Sequence, residues 1–124
     1  MQDGKHVILY VDDDQDFLDS MRVLLEANGY KMVEAGSGEE GLKVYKQTRP
    51  DLVIADLMME EVDTGTGFVK ELQLMGNKAP IYMLSSVGDS LNMATDFQSL
   101  GVDGIFQKPI NHESLLSVLK AKLK

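Results

Sequence analysis

Three aspartates stand at the ends of two apolar runs that lie far apart in the chain. Val7-Ile8-Leu9-Tyr10-Val11 leads directly into Asp12-Asp13-Asp14, and Leu52-Val53-Ile54-Ala55 leads directly into Asp56. If the two runs are neighbouring parallel strands, their carboxyl ends bring Asp12, Asp13 and Asp56 to one spot. Carboxylates crowded in this way repel by roughly 4 kcal/mol per pair at about 4 Å with an effective dielectric near 20. A bound cation offsets that cost, so a hard-metal site is the first expectation. Mg²⁺ takes oxygen ligands in near-octahedral geometry and is commonly held by one or two carboxylates, waters and a phosphate oxygen. An aspartate can also act as a nucleophile toward phosphorus, giving an aspartyl phosphate. Such a transfer requires the phosphoryl group to be held in line and its equatorial oxygens neutralised. A lysine point charge and a hydroxyl would complete that set. The candidates are Lys108, which precedes Pro109, and Ser85, which follows Ile81-Tyr82-Met83-Leu84.

The elements that must position these groups are legible as alternation. Short β-type runs at 6–11, 31–35, 51–55, 80–84 and 104–107 are separated by amphipathic helical stretches. The first and third runs are nearly continuous hydrophobes, as expected of strands buried on both faces. Phe17, Leu18, Met21, Leu24 and Leu25 fall at helical spacing. Leu42, Val44 and Tyr45 do so less cleanly, and Leu115, Leu116, Val118, Leu119 and Leu123 do so near the end. Asn28-Gly29, Gly36-Ser37-Gly38, Arg49-Pro50-Asp51, Gly76-Asn77 and Leu100-Gly101 supply turns. Repeated strand–helix units with right-handed crossovers predict an α/β fold, a doubly wound parallel sheet with helices on both faces. Such a sheet binds ligands at the carboxyl ends of its strands. Asp12, Asp13, Asp56, Ser85 and Lys108 all fall at such ends.

Composition bounds the rest. At 124 residues, with 44% hydrophobic and 26% charged content, the chain is expected to be one globular domain spanning residues 1–124. A net charge of −8 disfavours direct binding to nucleic acid. The absence of cysteine excludes disulfides and thiolate metal sites. No apolar run approaches the roughly 20 residues of a membrane span, and residues 1–6 lack a signal-peptide core. A soluble cytoplasmic protein without membrane association is expected.

The pattern Val11-Asp12-Asp13, Pro50-Asp51-Leu52-Val53-Ile54-Ala55-Asp56, Leu84-Ser85-Ser86 and Lys108-Pro109, with Glu34-Ala35-Gly36-Ser37-Gly38-Glu39-Glu40-Gly41-Leu42, resembles the receiver domain of two-component response regulators. The resemblance spans essentially the whole chain. It implies the flavodoxin-like strand order 2-1-3-4-5 with five strands and five helices. It also implies that Asp56 accepts a phosphoryl group from a phosphohistidine of a sensor histidine kinase or phosphotransfer protein. Asp13 and Asp56 would coordinate Mg²⁺ directly, or Mn²⁺ as a substitute. Asp12 would act partly through water, and the Met58 backbone carbonyl would be a further ligand. Lys108 would contact the phosphoryl oxygens. Ser85 would move to hydrogen-bond them, switching the surface of the last helices and strand toward an output partner. A cis Lys108-Pro109 bond, self-phosphorylation and self-dephosphorylation as the only catalysis, and a monomer or phosphorylation-dependent homodimer follow from the same likeness. No output domain is expected within these residues.

The chain departs from the family pattern in two places. Glu60 stands where proline is common, and Val62-Asp63-Thr64-Gly65-Thr66-Gly67-Phe68 is longer than usual. Ile105 takes the place of an aromatic that often rotates on activation.

Asp14 and Asp16 fit a helix N-terminus, the methionines fit core filling, and His6 and His112 fit ordinary surface. Gly36-Ser37-Gly38-Glu39-Glu40-Gly41 matches a dinucleotide fingerprint formally. It follows the second run, however, and Ser37 with Glu40 suits a capping box better. An aspartate-nucleophile phosphatase or mutase would place a second acid at the position of Met58, and an FMN-binding flavodoxin would need a hydroxyl-rich loop after the first run.

Overall fold

The computed structural model of the chain describes residues 4–56, 70–85, 103–107 and 111–123. β1 (Val7–Val11) consists of five apolar residues, every one of them buried. Such a strand is satisfied only inside a sheet covered on both faces. It pairs in parallel with β2 (Lys31–Ala35) on one side and β3 (Leu52–Asp56) on the other. β4 (Ile81–Ser85) and β5 (Gly104–Gln107) continue the parallel sheet. The order β2-β1-β3-β4-β5 is the flavodoxin-like order expected of this chain.

Successive strand residues point to opposite faces, and the core divides accordingly. On one face, Ile8, Tyr10, Leu52, Ile54, Tyr82 and Leu84 meet α1 (Gln15–Ala27) and the C-terminal helix α3 (His112–Lys122). On the other, Leu9, Val11, Val53, Ala55, Ile81 and Met83 meet Leu72 of a helical stretch at 70–74 and α2 (Gly38–Thr48). Helices therefore cover both faces. The interval after β4, where a further helix was expected, lies outside the described residues. Three of the methionines, Met21, Met32 and Met83, are core filling as anticipated.

Local signals set the helix ends. Asp14 caps α1 by accepting the Asp16 N–H at 2.9 Å, and Ser37 caps α2 by accepting the Glu40 N–H at 3.1 Å. Asn111 caps α3 in the same way, taking the Ser114 N–H at 3.0 Å. Arg49 ends α2 in the left-handed conformation with φ 50°, where glycine would be the usual choice.

Three strand boundaries differ by one residue from the apolar pattern: β1, β3 and β4 begin at Val7, Leu52 and Ile81, not at 6, 51 and 80. The reason is a clasp of side chain on backbone. Asp51 accepts the Val7 N–H through Oδ2 at 2.8 Å while its own N–H donates to the Val7 carbonyl at 2.7 Å. Asp103 repeats the device, taking the Ile81 N–H at 3.0 Å and donating to the Ile81 carbonyl at 2.7 Å. Both clasps close the amino end of the sheet, opposite the aspartate cluster. His6 is also not the ordinary surface residue expected: it is half-buried, with Nδ1 3.8 Å from Asp51 Oδ2. Replacing Asp51 by alanine removes the acceptor of a partly buried N–H and is expected to cost about 1 kcal/mol. Urea unfolding of Asp51→Ala against wild type measures this, and an unchanged midpoint would show the clasp to be dispensable.

Candidate metal centre

The cluster is built by register. Val11 pairs with Ala55 across β1 and β3, so one further step places Asp12 beside Asp56 at the carboxyl edge. Asp12 is fixed there by its own N–H, which donates to the Ala35 carbonyl at 3.0 Å. Asp13 follows at the exposed turn, and Asp56 is the last residue of β3. An oxygen from each of Asp12, Asp13 and Asp56 lies within 4.8 Å of the others. The sequence expectation that these three converge is therefore met in the geometry.

Burial is uneven. Asp12 is 0% and Asp56 2% exposed, while Asp13 faces solvent. Two carboxylates drawn out of water and one left in it form a cradle open on one side. That is the donor set Mg²⁺ uses: a few carboxylate oxygens with room for its retained waters. The residues thus fit a hard divalent cation. The amino end of α1 begins just beyond the cluster, where its dipole favours negative charge by about 0.3–1 kcal/mol.

Asp12 is held at both oxygens. Oδ1 accepts the Asp14 N–H at 3.0 Å, and Oδ2 accepts the Tyr10 hydroxyl at 2.8 Å. Burial, then the charge of Asp12 and the hydrogen bond to it, push the Tyr10 phenol far above its ordinary value, so it remains a proton donor. Within the apolar run Tyr10 counts as one more hydrophobe of β1. The signal was present, because residues two apart on a strand share a face and a tyrosine two before an aspartate can reach it.

The remaining candidates stand differently. Ser85 is the last residue of β4, and its backbone partner in β5 is Gln107, the residue before Lys108. The Ser85 and Ile105 side chains, Met58, Glu60, the 62–68 loop, Lys108 and the Lys108-Pro109 bond lie outside the described residues. Gly36-Ser37-Gly38 serves the start of α2, in accord with its capping role.

Comparison with known proteins agrees with this architecture. The family model of the response regulator receiver domain matches residues 8–120. The probable transcriptional regulator ycf27 of Guillardia theta is 34% identical over 120 residues, covering 97% of this chain and 46% of its own length. The response regulator MprA of Mycobacterium leprae (strain TN) is 34% identical over 117 residues, covering 94% and 50%. This chain spans about half the length of the curated relatives it matches. Among solved structures, the chemotaxis protein CheY4 of Vibrio cholerae superposes with a TM-score of 0.87 at 30% identity, covering 97% of this chain and 100% of that one. A CheY-like receiver domain protein of Methanospirillum hungatei gives 0.87 at 28%, covering 97% and 94%. The chain belongs to the receiver domain family of two-component response regulators.

The repulsion within the cluster has a measurable consequence. Unit charges about 5 Å apart at an effective dielectric near 20 interact by about 3 kcal/mol, and exposure of Asp13 screens part of that. Asp56→Asn is therefore expected to stabilise the cation-free protein by roughly 1–3 kcal/mol. Urea unfolding in EDTA measures the gain, and added Mg²⁺ should narrow it. A less stable Asp56→Asn protein in EDTA would show that the three charges are already offset by the protein itself.

Proposed function

We propose that this chain is a Mg²⁺-dependent phosphoacceptor module that receives a phosphoryl group on Asp56 from the phosphohistidine of a sensor kinase or phosphotransfer protein. The observation that carries the reading is the convergence of Asp12, Asp13 and Asp56 at the carboxyl edge of a receiver-type sheet. Mn²⁺ would serve in place of Mg²⁺, since both accept oxygen ligands. When bound, the cation would neutralise the developing charge on the phosphoryl oxygens.

In this reading the chain's own residues divide the work. Asp13 and Asp56 would hold the cation directly, with Asp12 acting partly through water and the Met58 carbonyl as a further ligand. An Asp56 oxygen attacks phosphorus in line, the phosphorus–nitrogen bond breaks, and the electron pair leaves with the imidazole. Ser85, the last residue of β4, and Lys108, which follows the last residue of the paired β5, are the donors assigned to the phosphoryl oxygens. Ser85 then transmits the new charge to the surface around β5 and α3, where an output partner or a second copy would dock. No separate substrate is turned over, so the module is a switch that acts on itself.

An aspartate-nucleophile phosphatase is the weaker alternative, because Met58 cannot protonate a leaving group. A net charge of −8 argues against this domain itself engaging nucleic acid. Where a relative is a transcriptional regulator, the half of its length beyond the match is the candidate for DNA binding.

Acetyl phosphate with Mg²⁺ is expected to label the wild-type chain and leave Asp56→Asn unlabelled, as read by intact mass. Lys108→Ala should retain Mg²⁺ binding while losing the conformational response to beryllium fluoride. A phosphoryl group surviving in Asp56→Asn would overturn the assignment, and loss of Mg²⁺ binding in Lys108→Ala would overturn the division of roles.

A further inference from the structure

Tyr10, the last but one residue of β1, is wholly buried and belongs with Ile8, Leu18, Met21 and Leu25 to the core cluster on the face that α1 covers. A phenylalanine would fill that volume equally, so packing alone gives no account of the hydroxyl. The hydroxyl sits 2.8 Å from Asp12 Oδ2, in a part of the core where a polar group without a partner would be costly. Asp12 is itself fully buried, and its other oxygen takes the Asp14 N–H. A carboxylate gripped at one oxygen by a ring fixed in the core, and at the other by the backbone leading into α1, has no freedom to rotate.

Resting on the Mg²⁺ reading above, we propose that Tyr10 is the positioning residue of the metal centre. Its hydroxyl holds the Asp12 carboxylate in the orientation a hydrated divalent cation requires, before any cation arrives. Tyr10 does not touch the cation or the phosphoryl group; it acts through Asp12. Hydrogen-bond partners of metal-binding groups commonly govern affinity by fixing those groups' orientation. The donated proton also draws negative charge from Oδ2, easing repulsion among the three carboxylates. The core and the site are thereby joined: packing of α1 on the sheet sets where the hydroxyl points.

The test is a Mg²⁺ titration of the full chain, followed by backbone amide shifts, with no phosphodonor present. Four proteins are compared: wild type, Tyr10→Phe, Asp12→Asn and the double variant, each checked for folding by urea denaturation. Tyr10→Phe is expected to weaken Mg²⁺ binding about 10-fold in the wild-type background. In the Asp12→Asn background the same change should matter by less than about twofold, because the residue through which it acts is already altered. Equal weakening in both backgrounds would mean a general structural role and would overturn the proposal, as would unchanged affinity in Tyr10→Phe. Absence of Mg²⁺ binding in the wild type would instead defeat the metal reading itself, and this inference with it. Should Tyr10→Phe fail to fold, the ring signals of labelled Tyr10 in the wild type decide. They are expected to move with the same Mg²⁺ midpoint as the Asp12 amide, and signals that stay still would overturn the proposal.

Discussion

Three carboxylates that bring one oxygen each within 4.8 Å of the others form an arrangement that an isolated peptide would relax by moving apart. Here the relaxation is blocked. Asp12 and Asp56 extend two neighbouring strands whose other residues are all buried, so either aspartate can retreat only by breaking the register of the sheet. A slip of one residue would turn every inward side chain of β1 or β3 to the opposite face. The hydrophobic energy of both cores therefore stands behind the electrostatic tension at the edge. A partner that brings positive charge would relieve that tension.

The two ends of the sheet are treated in opposite ways. At the amino end, Asp51 and Asp103 each neutralise a strand's first N–H and close the ladder with paired backbone bonds. At the carboxyl end, aspartates of the same kind are gathered with each other. Identical side chains thus serve as structural clasps at one edge and as a charged cradle at the other. Only backbone position separates the roles. Asp14 shows the intermediate case, since its carboxylate goes to the start of α1 even though it adjoins two members of the cluster.

Much of this was legible in the residues. Continuous apolar runs ending in acids identified buried strands and the edge where chemistry would collect, because strand burial and strand-end geometry are both local consequences of pattern. Ser37 and Asp14 were legible as caps for the same reason. Tyr10 was not, because hydropathy counts a tyrosine in an apolar run as one more hydrophobe and gives no direction to its hydroxyl. Nor were the Asp51 and Asp103 clasps, which depend on which strands become neighbours. In the sequence alone Asp51 fits turn chemistry, and Asp103 carries no signal of its own. His6 was misplaced because a position near the terminus says little about burial, whereas its proximity to Asp51 follows from the β1–β3 pairing.

In the function proposed above, the aspartate cluster makes Asp56 the acceptor of a phosphoryl group. An acyl phosphate is reduced by borohydride to an alcohol, so an aspartyl phosphate is converted in place to homoserine. After treatment with phosphorylated sensor kinase and Mg²⁺, then borohydride and proteolysis, peptide mass mapping should find homoserine at position 56 and at no other aspartate. Reduction at Asp12 or Asp13, or none at Asp56 after transfer from the kinase, would rule out that role for Asp56.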